Sequence, residues 1–274
     1  MVDKVRNVLI TGGTRGLGLE YAHHLAQQGY NIGISDISEQ ACKVYGEAES
    51  VEEILKDLSD YGVDVWYQSA DLDNLDQTNK MVSSFIEKFG SIDAVVTNAG
   101  GDISGNDSNA AGGKAENNTF FVDYSEYKNI FTRNFDTTVN TLRVVVPFMR
   151  KQGFGKVVTV SSINAVFGVE KETSYSMAKS AIIQLTRSLA TEVRKDGVNV
   201  NCIVPGPVKT GRFMATLKGR HKHDLEMLKD KSRLERVALP QDVSPLVNFL
   251  ISPESDFMSG SIIKIDGGLF NQSM

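Results

Sequence analysis

Short apolar runs alternate with longer stretches of helical spacing along the whole chain. Asn7–Thr11 is an apolar run that ends in glycines, as a buried parallel strand does. Helical spacing follows from Leu17 to Gln28 and stops at Gly29. Asn31–Ser35 is a second apolar run, ending at Asp36. Ser38 to Tyr61 is polar and mostly helical, with Gly46 dividing a loop from the helix proper and Gly62 as the stop. Val63–Gln68 and Ile92–Thr97 read as the third and fourth strands, with a helix over Leu75–Phe89 between them. Gly101–Asn118 is rich in Gly, Asn, Asp, Ser and Ala and reads as a loop. A long helix is expected from Ser125, a suitable N-cap, to Gln152. Lys156–Ser161 is the fifth strand, Thr173–Lys195 the next helix and Val198–Val204 the sixth strand. Thr210–Lys231 is basic and mostly helical, Pro240–Ile251 is a helix with proline in its first turn, and Ile262–Ile265 is a last strand.

Strand and helix alternate throughout. That predicts an α/β fold: a doubly wound, Rossmann-type, mainly parallel seven-stranded sheet with helices on both faces, in a single domain over 1–274. No internal repeat or separating linker interrupts it.

The first strand runs into Gly12-Gly13-Thr14-Arg15-Gly16-Leu17-Gly18 and then a helix. Glycines there let backbone N–H groups approach a pyrophosphate at a helix N-terminus, where the dipole favours anions. The spacing is Gly-x-x-x-Gly-x-Gly, so the strand–turn–helix context carries the signal. Asp36 closes the second strand, eighteen residues after Gly18. A carboxylate there can accept from both hydroxyls of an adenosine ribose and would repel a 2′-phosphate, which argues for NAD over NADP. Arg15 points the other way, since a cation in the turn can pair with a 2′-phosphate. Asp36 has the greater weight because it lies where the ribose should rest.

Tyr175 and Lys179 are four apart in the expected fifth helix and so share one face. Alone, such a pair is explicable as a solvated face. Beside the glycine turn it becomes candidate chemistry. A tyrosine near pKa ~10 is a poor base at neutral pH, and lowering it to about 7 takes roughly 4 kcal/mol. An ammonium about 5 Å away at an effective dielectric of about 20 supplies on the order of 3 kcal/mol.

These segments together resemble the short-chain dehydrogenase/reductase family: Thr11 to Gly18, Asn98-Ala99-Gly100, Ser162, Tyr175-x-x-x-Lys179 and Pro205-Gly206. The match runs from Val8 to Asp266-Gly267-Gly268. The resemblance implies that Gly12, Thr14, Arg15, Gly16, Leu17 and Gly18 form the pyrophosphate turn. Asp36 and Ile37 would flank the adenosine, Asp71 and Leu72 would contact the adenine, and Asn98, Ala99 and Gly100 would back the adenosine side. Pro205 and Gly206, with Val208 and Thr210, would hold the nicotinamide end. Ser162, thirteen residues before Tyr175, matches the serine that polarises the substrate carbonyl. Asn134 matches an asparagine that holds a relay water near the lysine. Lys179 would also bind the nicotinamide ribose. The implied reaction is hydride transfer between NAD(H) and a secondary alcohol or its ketone, in a homotetramer or dimer.

Two departures from the family pattern stand out. Roughly a dozen extra residues lie between Gly100 and Asn134, within the 101–122 loop, and roughly ten between Asp36 and Asp71, over 37–50. The second is similar to an insertion in a carveol-dehydrogenase-like subgroup. Either insertion could cover cofactor or substrate, or be a surface excursion.

Composition narrows the remaining choices. The chain has 274 residues, 41% of them hydrophobic, and a net charge of −5, which gives no global attraction to nucleic acid. Cys42 and Cys202 suit a reduced compartment. No histidine or cysteine spacing points to a metal; His221 and His223 read as surface. The N-terminus shows no signal-peptide pattern and no run is long enough for a membrane span, so a cytoplasmic enzyme is expected. Lys209–Arg236 has nine Lys/Arg and four Asp/Glu, a local +5 in the region expected to form a substrate lid at about 207–232. A basic lid would suit an anionic or polar substrate: a polyol, sugar, hydroxy acid or 3-oxoacyl thioester. A non-catalytic nucleotide sensor on this fold, or an epimerase, are the competing readings. The presence of Tyr175, Lys179 and Ser162 counts against the first, and chain length against the second.

Overall fold

A computed structural model of the chain describes residues 6–103, 119–217 and 229–270. Alternation along the strands explains its two-layered core. In β1 (Asn7–Thr11), Val8 and Ile10 face one side and Leu9 the other, and all three are fully buried. On the first side they pack with Ile32 and Ile34 of β2 (Asn31–Asp36), Leu25 of α1 (Gly16–Gln27) and Ile54 of α2 (Val51–Ser59). On the other, Leu9 packs with Met81 and Phe85 of α3 (Leu75–Phe89) and Val95 of β4 (Ala94–Thr97). A strand covered on both faces reads as a continuous apolar run, which is why these were visible in sequence.

Among the described residues, seven strands form one sheet in the order β3-β2-β1-β4-β5-β6-β7, and each neighbouring pair is parallel. Here β3 is Val65–Ser69, β5 Gly155–Val160, β6 Val198–Pro205 and β7 Ile262–Ile265. Order reverses between β1 and β4, so their carboxyl ends open a crevice there. Helices α4 (Tyr124–Asn134), α5 (Asp136–Gln152), α6 (Thr173–Val193), α7 (Gly211–Leu217) and α8 (Pro240–Ile251) complete the chain.

Two elements differ from expectation, while the 38–61 stretch divides at Gly46 as expected. The 38–61 stretch is a 3₁₀ turn at Glu39–Lys43, a loop and then α2. Gly46 at φ 67° breaks the path, and Ser50 restarts it by accepting from Glu53 N at 3.2 Å. The expected single helix over 125–152 is two, divided at Phe135 immediately after Asn134. The basic helix is α7 alone within the described residues; the central 218–228 portion of the lid, including Lys218, Arg220, Lys222, His221 and His223, lies outside them, as does 104–118 of the inserted loop.

Candidate active site

The glycine turn is built by its glycines' missing side chains. Gly12 has φ 62°, and a Cβ on Gly18 would lie 2.0 Å from Gly12 O, so the first turn of α1 can sit on the turn only if Gly18 is bare. Thr11 Oγ1 accepts from Asn98 N and Ala99 N, each at 3.1 Å, and Asn98 Nδ2 donates to Gly12 O at 3.0 Å. Asn98 therefore locks β4 to the turn. Gly16 opens α1, whose first turn carries no acidic residue.

Asp36 sits at the end of β2, nearly buried. Its Oδ2 accepts from Thr14 Oγ1 at 2.6 Å and its Oδ1 from Ile37 N at 2.9 Å. Arg15 Nη2 lies 3.8 Å from Asp36 Oδ1, so the cation and carboxylate are paired. Burial pulls the Arg15 pKa down, against the pull of Asp36.

A cleft of about 490 Å³ runs from this turn to α6. Gly12, Arg15, Gly16, Leu17, Asp36 and Ile37 line one end; Asp71, Leu72, Asn98, Ala99 and Gly100 line the middle. Ser162, Tyr175, Lys179, Pro205, Gly206, Val208 and Thr210 line the other end. Thr14, Gly18 and Asn134 stand behind its wall and support it. The structure thus brings the predicted set together around one crevice.

At the far end, Lys179 Nζ donates to Val160 O at 3.0 Å and lies 5.7 Å from the centre of the Tyr175 ring. Ser161 Oγ donates to Lys179 O at 2.7 Å, which ties α6 to the end of β5. Burial pushes the Tyr175 phenol well above its ordinary pKa; a hydrogen bond with Ser162 is the leading effect that lowers it. The charges of Asp102 and Glu172 raise it further and that of Arg212 lowers it. Burial brings Lys179 down to about 8, so its ammonium is still the major form at neutral pH. The expectation that Lys179 is the dominant influence on the phenol is not what the protein chain by itself displays: burial leads, and Ser162 and Arg212 supply the relief.

Asn134 is fully buried at the α4–α5 break. Its Oδ1 accepts from Gly101 N at 2.8 Å, and its Nδ2 donates to Gly101 O and Ile130 O at 2.9 and 2.8 Å. A Cβ on Gly100 would lie 2.7 Å from Asn134 Oδ1 and 3.5 Å from Lys179 Nζ, so the two side chains converge on Gly100.

A model described as enoyl-(acyl carrier protein) reductase matches residues 12–270. A cyclohexanol dehydrogenase of Rhodococcus sp. (strain TK6) is 31% identical over 267 residues, covering 95% of this chain and 94% of its own. The chain belongs to the short-chain dehydrogenase/reductase family. A 3-oxoacyl-(acyl-carrier-protein) reductase FabG of Chlamydia muridarum is 31% identical over 262 residues, covering 95% of this chain and 96% of its own. The crystal structure of a levodione reductase superposes with a TM-score of 0.82 at 26% identity, covering 96% of each chain. The chain is therefore an oxidoreductase-family member with the Rossmann-like architecture expected of it.

Family motifs do not account for every residue of the crevice. Tyr45, Glu47, Gly101, Arg133 and Arg212 also line it. Arg212 Nη1 donates to Gly100 O at 2.6 Å, and Arg133 Nη1 to Ile103 O at 3.0 Å. Tyr45 and Glu47 come from the extra residues after Asp36. The excess length was the only signal for them, and it named no residue. Among the described residues no cluster of His, Cys, Asp or Glu could hold a metal ion, and no helix is long and apolar enough to cross a membrane.

Proposed function

We propose that the protein is an NAD-dependent dehydrogenase/reductase acting on a secondary alcohol or its ketone. The observation that carries this is the meeting of Ser162, Tyr175 and Lys179 in the same crevice as the glycine turn and Asp36. A nicotinamide dinucleotide fits that crevice: the bare Gly18 lets α1 present its N-terminus, and Pro205, Gly206, Val208 and Thr210 form the opposite wall. Bound there, the nicotinamide supplies the hydride acceptor or donor. Asp36 would hold the adenosine ribose with a carboxylate already paired to Arg15. That pairing occupies the cation that would otherwise favour a 2′-phosphate, and it supports NAD.

The chain's own groups handle the proton. Ser162 Oγ donates to the substrate oxygen and holds Tyr175 in reach of it. Tyr175 Oη takes the hydroxyl proton in oxidation and returns it in reduction. Its raised pKa must fall for it to act as a base, and the Lys179 ammonium and the positive charge of an oxidised nicotinamide both act in that direction. Lys179 would also bind the nicotinamide ribose. Both Nδ2 protons of Asn134 are committed to backbone carbonyls. A relay water would therefore donate to the second lone pair of Asn134 Oδ1 and link Lys179 to solvent. Arg212 places a cation near Tyr175 and supports a polar or anionic substrate such as a polyol, sugar or hydroxy acid. The likeness to a 3-oxoacyl thioester reductase supports the second reading, reduction of an acyl thioester.

The test is nicotinamide absorbance with NAD and NADP over secondary alcohols and the corresponding ketones, including a 3-oxoacyl thioester. Turnover with NAD is expected to exceed that with NADP, and Tyr175→Phe is expected to lose at least about a thousandfold in kcat while still binding dinucleotide. Wild-type activity in Tyr175→Phe would end the mechanism; much faster turnover with NADP would end the Asp36 argument.

A further inference from the structure

The glycine turn already holds an anion that belongs to the protein. Gly16 N, the first donor of α1, donates to Glu47 Oε2 at 2.7 Å. The other oxygen of the same carboxylate, Oε1, accepts from Gly211 N at 2.8 Å, at the start of α7 across the crevice. Glu47 therefore bridges the two walls. Beside it, the Tyr45 ring meets two guanidinium groups, with Arg15 Cζ 5.6 Å and Arg212 Cζ 5.9 Å from the ring centre. Gly46, at φ 67°, makes the bend that lets Tyr45 and Glu47 both reach inward. The fit is close: a Cβ on Gly211 would lie 2.6 Å from Tyr45 Cβ and 3.0 Å from Glu47 Oε1.

Charge distribution makes this placement informative. A helix N-terminus favours an anion, and α1 has none in its own first turn. Glu47 supplies that anion from thirty-one residues away, close enough to Arg15 for its charge to act on that guanidinium. The diphosphate of a dinucleotide seeks the same setting of helix N-terminus, bare backbone donors and nearby guanidinium groups. A carboxylate and a diphosphate cannot share one N–H at hydrogen-bond distance without strong like-charge repulsion.

We propose that Glu47 is a built-in competitor for the diphosphate position, so that dinucleotide binding requires its carboxylate to leave Gly16. This rests on the dinucleotide reading of the crevice. Glu47 then sets cofactor affinity from a segment that contributes no group to the proton chemistry. When the carboxylate leaves, its bond to Gly211 N is also released, which weakens the hold of the 45–47 segment on α7. Admission of cofactor and loosening of α7 are thereby one event.

The test measures binding directly, without turnover. Purified wild type, Glu47→Gln and Glu47→Ala are titrated with NADH and NADPH by nicotinamide fluorescence, and association and dissociation rates are taken by stopped flow. Removing the competing charge is expected to tighten NADH binding by about tenfold or more, mainly through faster association. Glu47→Gln keeps the side chain's size and one acceptor, so a thermal melt matching wild type shows that the change is one of charge and not of folding. Weaker binding with faster dissociation in both variants would overturn the proposal, because Glu47 would then clasp the bound dinucleotide. Unchanged affinity would overturn it as well. If wild type and both variants alike bind neither dinucleotide, the reading of the crevice fails and takes this proposal with it.

Discussion

Lys179 shows at the scale of one residue how the proposed catalytic role opposes stability. Its ammonium is almost fully buried and makes one hydrogen bond, to Val160 O. Burial lowers its pKa to about 8, whereas an unfolded lysine titrates near ~10.4. The folded chain thus holds this proton less tightly than the unfolded chain does. Between about pH 8 and 10.4 the unfolded state binds more protons here, so the contribution of Lys179 to stability becomes more favourable as pH rises through that window. At neutral pH the charged form instead carries the full desolvation cost, on the order of 3 kcal/mol for a shift of this size. Tyr175 works in the opposite sense at higher pH. Its raised pKa makes the folded state hold a proton that the unfolded state releases above about 10, so stability falls there. Lys179→Met is therefore expected to melt no lower than wild type near pH 7 and to lose catalysis. The melting difference should move in favour of wild type as pH is raised from about 7.5 to about 9.5. A difference independent of pH in thermal melts across that range would show that Lys179 is not held as a strained cation.

At the scale of elements, the α4–α5 break is held by one side chain. Asn134 satisfies Gly101 in both directions and the Ile130 carbonyl, and it does so from a fully buried position. Asn134→Ala leaves three backbone groups without that partner, at a cost of about 2–4 kcal/mol. Differential scanning calorimetry should show a melting temperature lower by about 5–15 °C. A drop within about 1 °C would mean that these groups find other partners. The break also shows what could be read in advance. Residues 125–152 have continuous helical spacing, so periodicity predicts one helix; nothing in that pattern records that Asn134 turns its amide to a loop thirty-three residues earlier. The strand β1 was legible because burial on both faces leaves an uninterrupted apolar centre, and β5 and β6 because valine dominates them despite Lys156, Asn199 and Asn201. The meeting of Gly12, Ser162, Tyr175 and Lys179 in one crevice was legible because the motifs that carry them have fixed spacings. Arg212, Tyr45 and Glu47 were not, because each owes its place to a tertiary approach. Glu47 reaches Gly211 across 164 residues, and no local pattern encodes that meeting.

For the whole molecule, the crevice is where halves of the sheet meet. Its walls come from the carboxyl ends of β1 and β2 on one side and of β4, β5 and β6 on the other, joined where strand order reverses between β1 and β4. A dinucleotide in that crevice would touch segments from Gly12 to Thr210 and bind only when all of them are folded. By mass action, a ligand that binds only the folded state stabilises it by about 2.7 kcal/mol at a hundred times its Kd. For a domain of this size that corresponds to a rise in melting temperature of roughly 5–10 °C. The two dinucleotides should differ in how much they give. The adenosine 2′-phosphate of NADPH would face Asp36, whose carboxylate is already paired with Arg15 and hydrogen-bonded by Thr14. NADH is therefore expected to raise the melting temperature by several degrees at millimolar concentration, and NADPH by clearly less. Asp36→Ala removes the repulsion and releases Arg15, and it should narrow or reverse the difference. Equal shifts with both dinucleotides in wild type, unaffected by Asp36→Ala, would show that the end of β2 does not choose the cofactor.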